Sequence, residues 1–203
     1  MNLYPFNPRM GQKLQTDTPK VACDASFIAH YQVSAANATV ANPTGIHAEV
    51  VSTAVQQVVT TEITNPSTPR NITATAGGTI TDIKAIQVIV EGTNYAGEAI
   101  TETLPAFTLD TAGSVTGSKA FKTITKVTIP AHDGLGATTA IGFGEKLGLP
   151  YKLAHNTVLK TYLDNTLETI APTVTTSATD VDGNTIDLNT ALSGKVIDAY
   201  LIV

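Results

Sequence analysis

The sequence has few charged residues, one cysteine, no tryptophan and no long apolar run. Charged side chains make up 14% of its 203 residues, against roughly 25% in an average soluble domain. Cys23 has no second cysteine with which to form an intramolecular disulfide, and nothing indicates an oxidising compartment. Neither an apolar run of about 18 residues nor a basic-then-apolar leader is present, so we expect no membrane span and no signal peptide. The chain is therefore expected to be soluble and to be made in a cytoplasm.

Nothing in the sequence indicates a metal, nucleotide or nucleic-acid site. The net charge of −5 argues against nucleic acid as the main partner. The segment "DVDGNTID" (180–187) resembles a calcium loop, but its glycine is at the fourth position and Ala191 stands where such a loop needs a bidentate glutamate. We interpret it as a turn and predict no cofactor. No zinc-binding spacing links the four histidines, which are His30, His47, His132 and His155.

Catalytic patterns are equally weak. The segment "GFGEKLG" (142–148) has spaced glycines and a lysine but matches neither a phosphate-binding loop nor a dinucleotide fingerprint. The segment "HDG" (132–134) offers an imidazole and a carboxylate without a nucleophile elbow to pair with them. We therefore predict that the protein is not an enzyme. Glycan binding remains an alternative because tyrosines can stack on sugars where tryptophan is missing; the candidates are Tyr4, Tyr95, Tyr151 and Tyr162.

The sequence is rich in β-branched residues. Threonine alone fills about one position in six, and such residues suit a pleated, half-buried surface. Short alternating runs such as "SFIAHYQVS" (26–34) and "IKAIQVIVEG" (83–92) are separated by turn signals at spacings of about 8 to 12 residues. The first run places Phe27, Ala29, Tyr31 and Val33 on one face, and the second places Ile86, Val88 and Val90 on one face. This pattern predicts an all-β fold, an antiparallel β-sandwich or barrel-like body. The low charge indicates a protein that packs against other subunits and forms a homo-oligomer.

We predict an extended N-terminal arm (residues 1–24) and a single β-sandwich-type body (residues 25–203). The arm has no helical or strand period, and over residues 1–20 three basic residues face one acidic residue, Asp17. Its apolar side chains have no core of their own, so we expect a neighbouring subunit to bind it. An arm folded back on its own body is the alternative. The candidate contact residues are Leu3, Tyr4, Phe6, Arg9 and Met10.

Some elements of the body are harder to assign. We predict loops over residues 35–45 and 110–117, and a strand over the second half of residues 46–63. Residues 46–56 fit a helix and a strand equally well, and this choice stays open. The last strand ends on three apolar residues, 201–203, so we expect it to be paired inside a sheet.

The segment "ITNPSTPRNITATAGG" (63–78) predicts a stiff structural corner. Pro66 and Pro69 fix φ and cannot donate to a strand ladder, so this segment ends one strand and begins the next. Gly77 and Gly78 allow the positive φ of a tight hairpin that would turn the chain back. Arg70 could bind a carboxylate or phosphate bidentately. We prefer a structural role, in which it satisfies carbonyls of the corner or an aspartate of a neighbouring subunit.

Several segments resemble small structural proteins of tailed bacteriophages, which are usually encoded near the major capsid protein. The segments are, in order, "ITNPSTPRNITATAGG", "IQVIVEGTNYAGEAITETL", "GSKAFKTITKVTIPA", "GEKLGLPYKL" and the C-terminal "VTTSATDVDGNTIDLNTALSGKVIDAYLIV". The likeness covers residues 55–203 and leaves out the arm. It implies a component of the phage particle without fixing its position there.

The resemblance and the residues together predict a capsid decoration or cement protein. Its expected partners are the major capsid protein or other virion proteins and its own copies, with no nucleic acid and no membrane. Its expected location is the virion, assembled in the bacterial cytoplasm. One alternative is a neck, head–tail joining or tail component, and another is a host-glycan-binding module displayed on the virion.

Overall fold

The computed structural model describes residues 13–15, 22–24 and 26–203 of the chain. Within these residues the structure is all-β, with one short 3₁₀ turn at Ile80–Asp82. The strands, numbered in chain order, are β1 (Lys13–Gln15), β2 (Ala22–Asp24), β3 (Ile28–Val33), β4 (Asn42–Val51), β5 (Gln57–Val59), β6 (Arg70–Gly78), β7 (Ile89–Thr93), β8 (Ala99–Thr103), β9 (Gly113–Phe121), β10 (Thr123–Ile129), β11 (Ala137–Gly148), β12 (Val158–Leu163), β13 (Thr166–Leu167), β14 (Thr173–Thr175), β15 (Thr185–Asp187) and β16 (Ile197–Ile202).

The strands of the body form three sheets. The central sheet has the order β14-β15-β11-β6-β9, and β4 also pairs with β11. The covering sheet has the order β5-β10-β7-β8, and the terminal sheet, which contains the C-terminal strand, has the order β13-β12-β16-β3. Every strand pair in the described part of the chain is antiparallel. The predicted all-β, antiparallel fold class is confirmed.

The long strand β11 connects the two ends of the body. It pairs with β6 along residues 137–147. On its other side, β4 pairs with residues 138–143 and β15 pairs with residues 147 and 148. Its register against β6 shifts between Phe143 and Leu147. A bulge of this kind bends a strand, so β11 changes direction where its partner changes from β4 to β15.

Apolar side chains form two cores, one at each end of β11. The first core lies between the central and covering sheets, and its large, fully buried members are Ile46, Ile72, Ile83, Leu104, Phe121 and Ile141. The second core lies between the terminal sheet and the β11–β15 end of the central sheet. Its fully buried members include Leu147, Leu149, Ile186, Leu192, Ile197 and Leu201. Burying each such side chain contributes about 1.5–3 kcal/mol.

The alternation in the sequence identified several buried faces correctly. Tyr31 and Val33 of β3 are buried in the second core, while Val88 and Val90 are buried in the first. The C-terminal strand β16 lies between β12 and β3. The prediction that this apolar strand is paired inside a sheet is therefore confirmed.

Two predicted loops are shorter than expected, and the first part of the open segment 46–56 is a strand. The strand predicted in the second half of residues 46–63 is found at Gln57–Val59. Strand β4 begins at Asn42, inside the predicted loop 35–45, and it includes residues 46–51. Strand β9 begins at Gly113, inside the predicted loop 110–117. Both strands begin with exposed residues, so their pairing comes from the backbone of β11 and β6 rather than from an apolar pattern. Strand propensity depends strongly on such neighbours.

The predicted hairpin at Gly77 and Gly78 is wrong. The strand they end, β6, pairs with β9 and β11, whereas the next strand, β7, belongs to the covering sheet. Gly78 does have a positive φ, of 79°. A Cβ atom there would collide with the carbonyl of Gly136, which accepts a hydrogen bond from the next residue along the chain. The positive φ of Gly78 therefore allows the chain to pass from the central sheet to the covering sheet.

Part of the predicted arm contains paired strands. Strands β1 and β2 form an antiparallel ribbon in which Leu14 is opposite Cys23. The expectation that this segment has no strand is therefore wrong for residues 13–15 and 22–24. The candidate contact residues of the arm lie outside the described residues, so their role stays a prediction; they are Leu3, Tyr4, Phe6, Arg9 and Met10.

Candidate functional site

The corner at residues 65–70 lies where the three sheets of the body meet. The side-chain oxygen of Asn65 accepts a hydrogen bond from the backbone of β10 in the covering sheet, at 2.7 Å. The carbonyl of Pro69 accepts one from the last residue of β11 in the central sheet, at 2.8 Å. The hydroxyl of Ser67 donates to the loop that follows β3 of the terminal sheet, at 3.2 Å. The stiff segment therefore anchors three sheets at one point.

Arg70 connects the same elements from inside the protein. It is fully buried, and its guanidinium donates to the carbonyls of Gly144 (3.1 Å), Asn37 (3.3 Å) and Thr39 (2.6 Å). Its guanidinium carbon lies 5.2 Å from the centre of the Phe143 ring. These carbonyls belong to β11 and to the loop between β3 and β4, not to the corner itself. Arg70 thus joins the two ends of the body at the bulge in β11.

The surroundings of Arg70 explain why it binds main chain rather than an external anion. Burial lowers the pKa of Arg70 from its usual value, while Glu145 and the phenol of Tyr31 raise it. A guanidinium remains protonated at neutral pH even so. Both of its terminal nitrogens already donate to carbonyls. The terminal nitrogens are therefore occupied, and Nε, which has no hydrogen-bond partner among the described residues, is buried out of reach of an external anion.

Asn71 stabilises the bulge in β11 from the neighbouring strand. It is buried, and its side-chain oxygen accepts a hydrogen bond from the backbone N–H of Lys146, at 3.1 Å. Its amide nitrogen donates to the carbonyl of Gly117, at 3.4 Å. The Asn71 side chain therefore satisfies a backbone N–H group, that of Lys146, which lies within the bulge. Sequence reasoning missed this role, because Asn71 stands among the alternating residues of "NITATA".

A polar groove of about 380 Å³ lies beside the corner. Its lining includes Tyr31, Pro66, Pro69, Tyr95 and Lys122. The ammonium of Lys122 lies 6.0 Å from the centre of the Tyr95 ring. Burial raises the pKa of Tyr31 to about 12, so this phenol is protonated at neutral pH. The groove brings Tyr95, one of the predicted glycan-binding residues, to the predicted corner.

The outer face of the terminal sheet carries a cluster of aromatic and polar side chains, the aromatic cluster. The rings of His30 and Tyr200, on neighbouring strands, stack with their centres 4.7 Å apart and an angle of 6° between their planes. Tyr162 meets Tyr200 edge to face at 6.1 Å. The carboxylate oxygen Oδ1 of Asp198 pairs with His30 Nε2 and accepts from Gln32 Nε2, both at 2.7 Å.

The aromatic cluster has the composition of a site for a polar ring. A shallow pocket in it is lined by Tyr162, Asn165, Asp198 and Tyr200. His30 and Gln32 both pair with the same oxygen of Asp198, Oδ1. Neither of them uses Oδ2, and the Asp198 side chain lines the pocket. Tyrosine rings supply apolar faces, while the carboxylate and the amide can pair with hydroxyl groups. Only Tyr162 of this cluster was a sequence-based candidate.

The segment 180–184 is built around a buried asparagine. The side-chain oxygen of Asn184 accepts hydrogen bonds from the backbone of Leu153 (3.1 Å) and Ser177 (2.8 Å). Its amide nitrogen donates to the carbonyls of Ser177 (2.9 Å) and Asp180 (2.7 Å). Asp182 pairs with the ammonium of Lys119 at 3.2 Å. The prediction of a turn is confirmed, since the N–H of Asn184 also donates to the carbonyl three residues earlier.

His132 is buried beside the first core. Its Nδ1 accepts a hydrogen bond from the backbone N–H of Lys84, at 3.1 Å, and its Nε2 lies 2.9 Å from the hydroxyl of Thr139. A backbone N–H can only donate, so Nδ1 carries no proton and the ring is neutral. Burial lowers the pKa of His132, and Asp133 raises it in part. Both ring nitrogens of His132, the histidine of the "HDG" segment, are thus engaged in contacts within the fold.

Many large apolar side chains are exposed on the body. They lie in strands and loops of all three sheets and include Ile28, Val51, Val55, Val58, Ile80, Leu109, Leu135, Leu159, Leu167 and Ile170. The most exposed are Ile28 (71%) and Val55 (68%). Single exposed apolar residues are common in soluble proteins. Here they accompany a low density of charge, which makes close contact with other proteins easier.

The described part of the chain offers neither a metal-binding cluster nor a membrane-spanning helix. Over residues 26–203 and the two described strands of the arm, no group of three histidine, cysteine, aspartate or glutamate side chains could hold a metal ion. In the same part of the chain, no helix has the length and apolarity needed to cross a membrane.

Comparisons with known proteins give little similarity. No protein-family model matches the chain, and no curated protein matches it significantly. The structure of the infectious bursal disease virus VP2 subviral particle aligns with 100% of this chain at 12% identity and a TM-score of 0.28. The structure of infectious bursal disease virus Gx strain aligns with 95% at 14% identity and a TM-score of 0.21. This chain spans 47% and 46% of the lengths of those two chains, and with scores this low no functional argument rests on them.

Proposed function

We propose that this chain is a structural subunit of a virus particle, specifically of a tailed bacteriophage. The observation that carries the proposal is a surface poor in charge, at 14% of residues, and rich in exposed aliphatic side chains such as Val55 and Leu135. Contacts with neighbouring subunits would bury these side chains, with little charge to oppose association. The resemblance of residues 55–203 to structural phage proteins supports the same proposal.

Within the particle, the proposed role is that of a decoration or cement protein on the capsid shell. The rigid body would contact its own copies, and the arm would bind the major capsid protein through its apolar residues. Each buried apolar side chain contributes about 1.5–3 kcal/mol, and ordering costs about 1–2 kcal/mol per residue of backbone. One arm therefore binds weakly, and several arms of an oligomer must act together. A neck, head–tail joining or tail component is the alternative within this class.

The copy number in purified particles tests this role. A cement protein is expected in an amount close to that of the major capsid protein, measured by quantitative gel staining or mass spectrometry. A neck protein would be present in roughly a dozen copies, which would favour the alternative. Absence of the protein from purified particles would contradict both.

Deletion of residues 1–20 tests the role of the arm. The truncated protein is expected to remain folded but to lose binding to particles, measured by co-sedimentation with heads. The full-length protein should stay bound at raised salt, because apolar contacts contribute more than the excess positive charge of the arm. Co-sedimentation of the truncated protein at wild-type occupancy would show that the arm is not the anchor.

A second candidate function, glycan binding, is favoured by the aromatic cluster. Tyr162, Tyr200 and Asp198 combine ring faces with a carboxylate on one exposed face of a sheet. If the virion displays this face, binding of the purified protein to host cells or to a glycan array should fall at least tenfold in Tyr200→Ala. Val55→Ala, which truncates an exposed side chain in the loop between β4 and β5, is the control. Equal binding by wild type and Tyr200→Ala would exclude this face as a glycan site.

A further inference from the structure

A small pocket of about 160 Å³ lies between the β12–β13 hairpin and β14. Its lining combines apolar and polar side chains in similar measure. The apolar ones include Val158, Leu159, Leu167, Pro172 and Val174. It is smaller than the roughly 300–1,000 Å³ of most small-molecule sites. It can hold one extended side chain of another protein. Leu159 and Leu167, which are about half exposed, give it an apolar rim.

The pocket contains an unpaired carboxylate oxygen. Glu168 lines it, and the Oε2 atom of Glu168 is inaccessible to solvent and has no hydrogen-bond partner within the described residues. Lys160 also lines the pocket, but among the described residues it forms no ion pair with Glu168. A buried acceptor without a donor destabilises the folded protein, more so when it is charged. The last torsion of a glutamate side chain is soft, so a rotation of this carboxylate towards a donor bound in the pocket would remove that cost.

The chemistry of the pocket selects a cationic side chain with an aliphatic stem. The apolar part of the lining fits methylene groups, and the carboxylate of Glu168 fits a guanidinium or an ammonium. Arginine suits such a place better than lysine, because its guanidinium is more weakly hydrated and loses less on leaving water. Neighbouring apolar residues of the same peptide would cover Leu159 and Leu167 at the rim.

We infer that this pocket binds Arg9 from the arm of a second copy of the chain, while Leu3 and Tyr4, which precede the segment used here, remain available for the capsid protein. Arg9 lies in the segment "FNPRM" (6–10), where Phe6, Pro8 and Met10 are apolar. The charges of the arm and the body are complementary as well. Residues 1–20 carry three basic residues and one acidic residue, and the rest of the chain carries the remaining nine basic and 16 acidic residues. The inference rests on the proposed function, because it requires that copies of the body associate.

Charge reversal in the full-length chain tests this pairing. Sedimentation velocity over a range of concentrations measures self-association of wild type, Glu168→Lys, Arg9→Glu and the double variant. Each single reversal is expected to weaken association at least tenfold, and the double variant is expected to recover most of the loss. Matched reversals at Lys13 (Lys13→Glu) and at the exposed Glu49 (Glu49→Lys) should change association less than twofold.

The isosteric variant Glu168→Gln separates binding from folding. It removes the unpaired charge without a change of size, so its melting temperature should stay equal to that of wild type or rise while association weakens. A double charge reversal that associates no better than either single variant overturns the inference but leaves the proposed subunit role intact. A wild-type chain that stays monomeric at all concentrations overturns both.

Discussion

The two cores of this protein are of similar construction but come from different parts of the chain. The first core uses residues from 46 to 141 in one continuous stretch. The second core combines residues 31–38, which follow the arm, with residues 147–201 at the other end of the chain. Closing the second core therefore brings together parts of the chain that are far apart in sequence, at a larger cost in chain entropy.

The connection between the cores is polar although the cores are apolar. Strand β11 passes from one core to the other through a bulge between Phe143 and Leu147. At that bulge, Arg70 and Asn71 supply side-chain donors and acceptors that the regular ladder lacks. Both terminal nitrogens of the Arg70 guanidinium and both polar atoms of the Asn71 amide are paired there, while Arg70 Nε is buried without a partner among the described residues. Paired buried groups of this kind strengthen one another and favour a single arrangement of the chain. We therefore expect the two cores to unfold as one unit, with Arg70 as the residue that couples them.

The largest effect is expected from Arg70→Ala. It leaves the carbonyl of Gly144 at a buried position, and those of Asn37 and Thr39 at partly buried ones, without their charged donor. We expect a loss of about 4 kcal/mol in the free energy of unfolding. Urea denaturation followed by circular dichroism measures this loss. The control Lys152→Ala, at an exposed lysine, should cost less than about 0.5 kcal/mol. A loss as small as that of the control would show that Arg70 does not couple the cores.

Matched cavities in the two cores test whether they are coupled. Leu104→Ala in the first core and Leu149→Ala in the second remove fully buried side chains, and each should cost about 3 kcal/mol. If the cores are coupled, hydrogen exchange in β10 and in β16 should speed up in both variants. Exchange that changes only in the core carrying the substitution would show two independent units.

A smaller effect is expected from the corner prolines. Pro66→Ala combined with Pro69→Ala frees the unfolded chain and loosens the corner, and should lower stability by about 1–2 kcal/mol. Thermal unfolding measures the effect, and Pro105→Ala, at an exposed position, is the control for a proline outside the corner. An equal or smaller loss in the double variant than in the control would mean that the corner adds no rigidity.

The smallest effect is expected from protonation of His132. Burial lowers its pKa in the folded protein, so the unfolded chain, with a pKa of about 6.5, takes up a proton more readily. Stability from this group is complete above about pH 6.5 and is lost as the pH falls towards the folded value. The melting temperature should decline less below pH 6.5 in His132→Asn than in wild type. The exposed-site control His155→Asn should follow the wild-type curve, and a His132→Asn curve that also does so would contradict this assignment.

Much of the fold could be predicted because it follows from local pattern. Low charge and abundant β-branched residues indicated an all-β body, and alternation placed Tyr31, Val33, Val88 and Val90 on buried faces. The turn at residues 180–184 and the pairing of the C-terminal strand were predicted for the same reason. These features depend on residues close together in sequence, where the period of a strand and the chemistry of a turn act directly.

The candidate sites depended on contacts that no local pattern contains. The aromatic cluster exists because β3 pairs with β16 in the register that places His30 opposite Tyr200, a pairing between the two ends of the chain. Outward alternation could have suggested Asp198 and Tyr200 as surface residues, but not their partners.

The sequence by itself determined the class of fold and the low charge of the chain, and it predicted a stiff corner. The tertiary structure decided that the corner joins three sheets, that Gly78 leads from one sheet to another, and that Arg70 is buried between two cores. The physical reason is that propensities and periods are properties of neighbouring residues, whereas sheet order and register arise from packing between distant ones.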